Sequence, residues 1–529
     1  MRNNLVAISF ALLSLAAFAD SMHVGPFLQQ PGPSSIIVRW EGVFKNRPKV
    51  FVQEAPAGKI RSFPATPVRD HVFTVDDVLT AKNILFTSSI QGLSPNTTYH
   101  YWLQSDSYSG KKYQFKTLNT KAEDFAFLVM SDAQSGWEVT TRSIRESVMK
   151  YAFDEYPDEA NFPIRTALFA GDLVQNGSQY SRWKKEFFDP MQPLLARIGT
   201  YPALGNHEED DRLYFSYFDL PTNGSKGYLE HWYYFDYGNV RFITLDTNTK
   251  YRVQAQLDWL DKLLETSAQD PKIDFVIAQF HHPHKSELWL AGETAYSGEL
   301  EKRLVAYSQK TAKPSLYFCG HTHGYSRGHH PTANHSMLII GSIGGDTDNW
   351  GDYKQRDYPE YTKTLDEFGW MLVQVHGGEK PTLSIKRYSF GTDGNARDLG
   401  VVDEFVLRRF DSLPSTPKIL EAQVTTSGKK SFIDFSLSDF SDLDLEDFHL
   451  STMVQISQTA SDTPTLVHEY LQNNENWYNG RDQNQGLSLQ KFKLEFGPER
   501  DQKYYIRAKY RDSALGWSSF SPWKPISSR

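Results

Sequence analysis

The chain has 529 residues, of which 39% are hydrophobic and 23% charged, and a formal net charge of −8. That much apolar material excludes an intrinsically disordered chain, and the length calls for roughly three or four domains of ~100–200 residues. The acidic balance argues against a nucleic-acid-binding groove and against a patch drawn to anionic lipid.

The first residues read MRNNLVAISFALLSLAAFADS. Arg2 precedes an apolar run from Leu5 to Phe18, and Ala17-Phe18-Ala19 has the small-x-small form of a signal-peptidase site. The run is too short for a permanent bilayer span, so 1–19 is expected to be a secretory signal cut near Ala19, leaving no membrane anchor. Cys319 is the only cysteine. A large exported chain without disulfides points to a bacterial periplasmic or secreted product.

Residues 22–118 read as an all-β domain. SSIIVRWEG alternates apolar and polar residues, and LSPNTTYHYWLQS carries a turn followed by Tyr99, Tyr101 and Leu103 at period two. A tyrosine shortly after a Leu-x-Pro turn suggests the tyrosine corner of a β-sandwich. From 124 to 410 apolar strands alternate with amphipathic helices, such as VQAQLDWLDKLLETSA, where Leu257, Leu260 and Leu264 share a face. That alternation predicts a layered α/β or α+β core with helices covering sheets. DSLPSTP at 411–417 is a linker, and 418–529 returns to sandwich-like strands, with Tyr504, Ile506, Ala508 and Tyr510 on one face.

Five stretches of the middle region share one format, an apolar strand running into a polar cluster: FAFLVMSDAQ, RTALFAGDLVQNG, YPALGNHEED, DFVIAQFHHPH and SLYFCGHTHG. Loops at the carboxyl ends of strands converge in α/β sheets, so these clusters are expected to meet. They deliver carboxylate, amide oxygen and imidazole, a set suited to Zn, Fe or Mn. Each signal is weak alone; five in this order are not.

The ordered set Asp132, Gly171-Asp172, Gly205-Asn206-His207-Glu208, His281 and Gly320-His321-Thr322-His323 resembles the calcineurin-like metallophosphoesterase superfamily, and within it most the purple acid phosphatases. FDLPTNGSKG, WYYFDYGNVRFITLDTN and GHTHGYSR extend the likeness, as does the N-terminal β region, which is similar to the fibronectin-like domain of plant and bacterial members. The resemblance covers roughly residues 22–400 and implies a multidomain α+β protein. Its core would be a four-layer α/β/β/α unit over 124–410, flanked by fibronectin type III-like sandwiches at 22–118 and 418–529, the last read from strand pattern alone.

The resemblance also implies an exported, acid phosphatase-like phosphoesterase with two metal ions (Fe, Zn or Mn), in which a metal-activated hydroxide near Asp172 attacks a phosphate ester and His207 assists the leaving group. Asp172 would bridge the metals. Asn206, His281 and His321 would complete the second site, and Asp132 and His323 the first. Two departures fall on that first site: Gln134 and Gln175 stand where relatives carry a histidine and a tyrosine ligand. Gln134 is the candidate fourth ligand. Glu208, His282, Tyr325 and Arg327 are candidates for contacting substrate or supporting the ligands. A phosphodiesterase or nucleotide hydrolase on the same site, and a metal-poor binding protein, are the alternative readings.

Overall fold

A computed structural model describes residues 20–68, 83–120, 124–154, 164–392, 394–461, 463–497 and 502–527. The expected signal segment lies outside these residues. Two large sheets face each other at the centre. The ten-stranded sheet runs in the order Ala396–Arg408, Thr382–Gly391, Phe368–His376, Phe125–Met130, Ile164–Phe169, Gly199–Pro202, Ser21–Gln29, Ser35–Val43, Ile84–Gln91 and Thr66–Pro67. The nine-stranded sheet is built around the parallel strands Val240–Thr244, Phe275–Gln279, Ser315–Cys319 and His335–Ile339.

Every residue of Phe125–Met130 and Ile164–Phe169 is buried, as a strand covered on both faces requires. Alternation decides which side each residue serves. Phe125 packs on Tyr237 and Phe127 edge-on against Phe242, both in the second sheet. The opposite face meets helical segments, where Trp370 donates to Ser147 Oγ at 2.5 Å. Helix Gln254–Gln269 buries Leu257, Leu260, Leu263 and Leu264 in a separate cluster beneath the second sheet. Each such leucine contributes roughly 1.5–3 kcal/mol. Helices therefore lie outside a pair of sheets, and strands dominate the mixed α+β fold.

The N-terminal region packs two sheets around Leu28, Val38, Trp40, Val50 and Tyr101. The Tyr99 hydroxyl accepts from Ser94 N at 2.9 Å, which pins the Leu-x-Pro turn upstream of it. The C-terminal region packs a three-stranded and a four-stranded sheet around Ile433, Phe435, Val454, Ile506, Ala508 and Tyr510.

Both regions contribute strands to the central sheets. Strand Ser21–Gln29 joins the ten-stranded sheet in parallel, Leu28 opposite Gly199. The C-terminal hairpin at Trp477–Tyr478 joins the other sheet, Trp477 opposite Lys363. Both additions cover backbone that would otherwise form a bare sheet edge. Among the described residues, no helix is long and apolar enough to cross a membrane.

Candidate metal centre

Asp132, Asp172 and Asn206 follow three adjacent parallel strands of the ten-stranded sheet, in which Met130 pairs with Phe169 and Phe169 with Pro202. His281 and the His321/His323 pair follow two adjacent parallel strands of the second sheet, in which Gln279 pairs with Phe318. The strands of each group end together, so the sequence distance between Asp132 and His323 closes to a side-chain contact. Asp132, Asp172 and His321 have φ of 56°, 55° and 68°, a left-handed backbone that non-glycine residues avoid. Such strain persists where the surroundings over-determine it, as at binding sites.

Two triplets of donor atoms result, Asp132–Asp172–His323 and Asp172–His281–His321, each with its atoms within 4.8 Å of one another. Asp172 belongs to both. His281 Nε2 lies 3.0 Å from Asp172 Oδ2 and 3.1 Å from Asn206 Oδ1. His281 Nδ1 donates to the Ala170 carbonyl at 2.8 Å, which leaves Nε2 as the atom facing the centre. His323 is fixed likewise, Nδ1 on the Asp346 carbonyl and Nε2 3.4 Å from Asp132 Oδ1.

Opposite charges on these groups stabilise one another. Burial opposes charge on Asp172, yet His281 and His207 hold its carboxyl well below the usual range. Burial also works against a proton on His281, but Asp172 raises its pKa to about 9. His321, buried beside His281, is pushed down to about 3 and stays neutral.

The donors fit metal. Asp132 Oδ2 and Gln134 Oε1 are buried with no hydrogen-bond partner among the described residues. The Gln134 amide points into the first triplet, its Nε2 2.9 Å from His323 Nε2 and 3.4 Å from Asp172 Oδ2. Gln175 does not reach the triplet, because its Oε1 accepts from Ser135 Oγ at 2.6 Å. Carboxylate, imidazole and amide together suit borderline divalent or trivalent ions.

Residues 125–325 match the calcineurin-like phosphoesterase family. The chain carries a calcineurin-like phosphoesterase domain. Two curated relatives from Arabidopsis thaliana are similar to it: "Probable inactive purple acid phosphatase 27", 22% identical over 277 residues (46% of this chain, 44% of that one), and "Probable inactive purple acid phosphatase 9", 23% identical over 368 residues (59% and 56%). The chain thus spans about half the length of the curated relatives it matches. Two solved structures share the fold. Purple acid phosphatase PPD1 from yellow lupin (Lupinus luteus) seeds is 16% identical, with a TM-score of 0.54 and coverage of 73% and 74%. PhoD is 10% identical, with a TM-score of 0.54 and coverage of 76% and 92%.

Within the phosphoesterase domain, Glu208 joins two of the ligand loops. Its carboxylate accepts from Gly205 N at 2.6 Å, Leu173 N at 2.7 Å and Asp172 N at 3.0 Å. Burial and the nearby Asp172 push its pKa up to about 8. The loops approach so closely that a Cβ on Gly205 would lie 2.1 Å from Asp172 Oδ1. His207 N donates to that same oxygen at 2.9 Å, and His207 Nδ1 meets the Gln175 carbonyl at 2.8 Å. His207 Nε2 is left 3.9 Å from Asp172 Oδ2, on a side chain 28% exposed. His282 is buried behind the second triplet, its ring 4.3 Å from that of His321 and its Nδ1 3.0 Å from Thr247 Oγ1.

Tyr325 and Arg327 turn to a carboxylate outside the two triplets. They alternate onto one face of strand Tyr325–His329, where a buried guanidinium needs a carboxylate, and both bind Asp403: Tyr325 Oη and Arg327 Nε at 2.6 Å each. Arg327 also pairs with Glu475 of the C-terminal region at 2.5 Å. Asp348, whose carboxylate accepts from His323 N at 2.9 Å, was not singled out from sequence. It lies in a loop of ordinary composition after strand His335–Ile339, with no ligand-type spacing to reveal it.

Proposed function

We propose that this chain is an exported, two-metal phosphoesterase acting on phosphate monoesters. The supporting observation is that one buried carboxylate, Asp172, belongs to two donor triplets at once. Asp132, Asp172, His323 and Gln134 would hold one ion, and Asp172, Asn206, His281 and His321 the other. Gln134 contributes as a ligand if its amide turns over to present Oε1 toward the ion. Bound ions would supply Lewis acidity, neutralising phosphate charge and making water acidic enough to attack.

The chain's own residues do the rest. Asp172 is held by His207 N and, through its backbone, by Glu208, so it is oriented before substrate arrives. His207, its Nδ1 held by the Gln175 carbonyl, presents Nε2 to the open side of the centre. When protonated it gives that proton to the ester oxygen as the P–O bond breaks, and water supplies the oxygen that replaces it. The flanking two-sheet regions at 22–118 and 418–529 are read as fibronectin type III-like sandwiches.

A panel of phosphomonoesters and phosphodiesters, run with Mn, Zn, Fe and Mg, tests the reading. Monoester turnover that Asp172→Asn and His207→Ala reduce by orders of magnitude supports it; unchanged turnover in these variants overturns it. Preferential diester cleavage would reassign the substrate. A metal-poor, non-catalytic relative is the second reading, favoured by the neutral amides at Gln134 and Gln175. Absence of turnover with every metal would select it.

A further inference from the structure

A second cluster of donors lies far from the phosphoesterase centre in the chain, where the ten-stranded sheet hands over to the C-terminal sandwich. Asp411 follows strand Ala396–Arg408, the loop SDFSDLDLEDF brings Asp442, Asp444 and Asp447, and Asp512 ends strand Tyr505–Asp512. Asp411, Asp444 and Asp447 each offer a carboxylate oxygen within 4.8 Å of the others. Oxygens on opposite sides of a cation with bonds of ~2.4 Å are separated by about that much.

The decisive residue is Asp512, whose relative exposure is 0%. Its Oδ1 accepts from Gly516 N at 2.8 Å, while Oδ2 has no partner among the described residues. Both oxygens of Asp411 and Oδ2 of Asp442 are likewise buried without a hydrogen bond. Two of the unpaired atoms lie side by side: a Cβ on Gly516 would meet Asp411 Oδ2 at 2.4 Å and Asp512 Oδ2 at 2.6 Å. Among the described residues, Arg408 is the cation in ion-pair contact, 3.3 Å from Asp447 and 4.0 Å from Asp411. One guanidinium does not balance five carboxylates. Burial and mutual repulsion accordingly push Asp411 up to about 7 and Asp512 up to about 8.

We propose that Asp411, Asp444 and Asp447, with the unpaired Asp512 Oδ2 beside Asp411, form a calcium site that fastens the segment leaving the ten-stranded sheet to the C-terminal sandwich. The donors are carboxylate oxygens drawn from three separate segments. Such a flexible all-oxygen set favours Ca²⁺, which accepts 6–8 oxygens in irregular geometry, over Mg²⁺ or a transition metal. The site is independent of the phosphoesterase reading and stands or falls without it.

Calorimetric titration of chelator-stripped, full-length protein with Ca²⁺ tests this, using the wild type and an Asp172→Asn variant that disables the other centre. Both should bind Ca²⁺ with a rise in Tm. Asp444→Asn and Asp512→Asn, each folded by circular dichroism, should bind it at least tenfold more weakly and lose the Tm rise. Mg²⁺ should compete poorly. If the aspartate variants do not fold, Asp172→Asn decides alone. Failure of that variant to bind millimolar Ca²⁺ would mean that the carboxyls share protons instead, and would overturn the proposal. Undiminished binding by the Asp444→Asn and Asp512→Asn variants would also overturn it.

Discussion

Gln134 Nε2 faces His323 Nε2 across 2.9 Å, where a histidine facing a histidine would make two imidazole donors for one ion. An amide is a weak neutral ligand, so the first site should hold metal less tightly than the second. Gln134→His should tighten binding of one zinc equivalent by roughly tenfold or more, and Gln134→Ala should weaken it by a similar factor. Chelator competition measures both. Identical release curves for the three proteins would remove Gln134 from the site.

Gln175 occupies the position at which purple acid phosphatases are expected to carry a tyrosine ligand, and its side chain turns to Ser135 Oγ at 2.6 Å. The iron-loaded protein should therefore show no tyrosinate-to-iron charge-transfer band in the visible spectrum. A purple or violet preparation would contradict this placement.

Glu208 is the structural partner of the ligand loops. Glu208→Ala would leave the amides of Asp172, Leu173 and Gly205 buried without acceptors, at about 1–3 kcal/mol for each unsatisfied group. Urea unfolding should show a loss of about 3 kcal/mol or more, with metal binding impaired even where the protein folds. Glu208→Gln, which keeps one acceptor oxygen, should lose less. A change below about 0.5 kcal/mol in the alanine variant would mean that Glu208 is not a clamp.

Asp132, Asp172, His281, His321 and His323 were legible because each ends an apolar strand, and strand ends in one sheet converge regardless of sequence distance. Leu257, Leu260 and Leu264 were legible from helical period, and Tyr99 from the turn before it. For Tyr325 and Arg327 the strand pattern assigns two residues to one face without saying what that face meets. Here it meets Asp403, 76 residues beyond Arg327. The strand partners Leu28–Gly199 and Lys363–Trp477 were invisible for the same reason, since edge pairing is a tertiary choice that leaves little local mark.

Asp403 provides an acid-sensitive contact beside the junction with the C-terminal region, through Arg327, which also pairs with Glu475. Burial works against its charge, but Arg327, Lys363 and the Tyr325 hydroxyl outweigh it and hold the carboxyl down at about 2. An unfolded aspartate titrates near ~3.9, so this group's stabilisation is fully present above that pH and is lost as pH falls through about 2. Asp403→Asn should cost about 3–5 kcal/mol near neutrality by leaving Arg327 buried without its carboxylate. The same variant should flatten the fall in unfolding midpoint between about pH 4 and pH 2. A variant as acid-sensitive as the wild type would place the titrating group elsewhere.

The shared role of Asp172 is tested most directly by anomalous scattering at the zinc edge from crystals of zinc-reconstituted protein. Two peaks roughly 3.5–4 Å apart, one beside Asp132 and His323 and one beside His281 and His321, with Asp172 reaching both, are the predicted result. A single peak, or none among these residues, would contradict a two-metal centre.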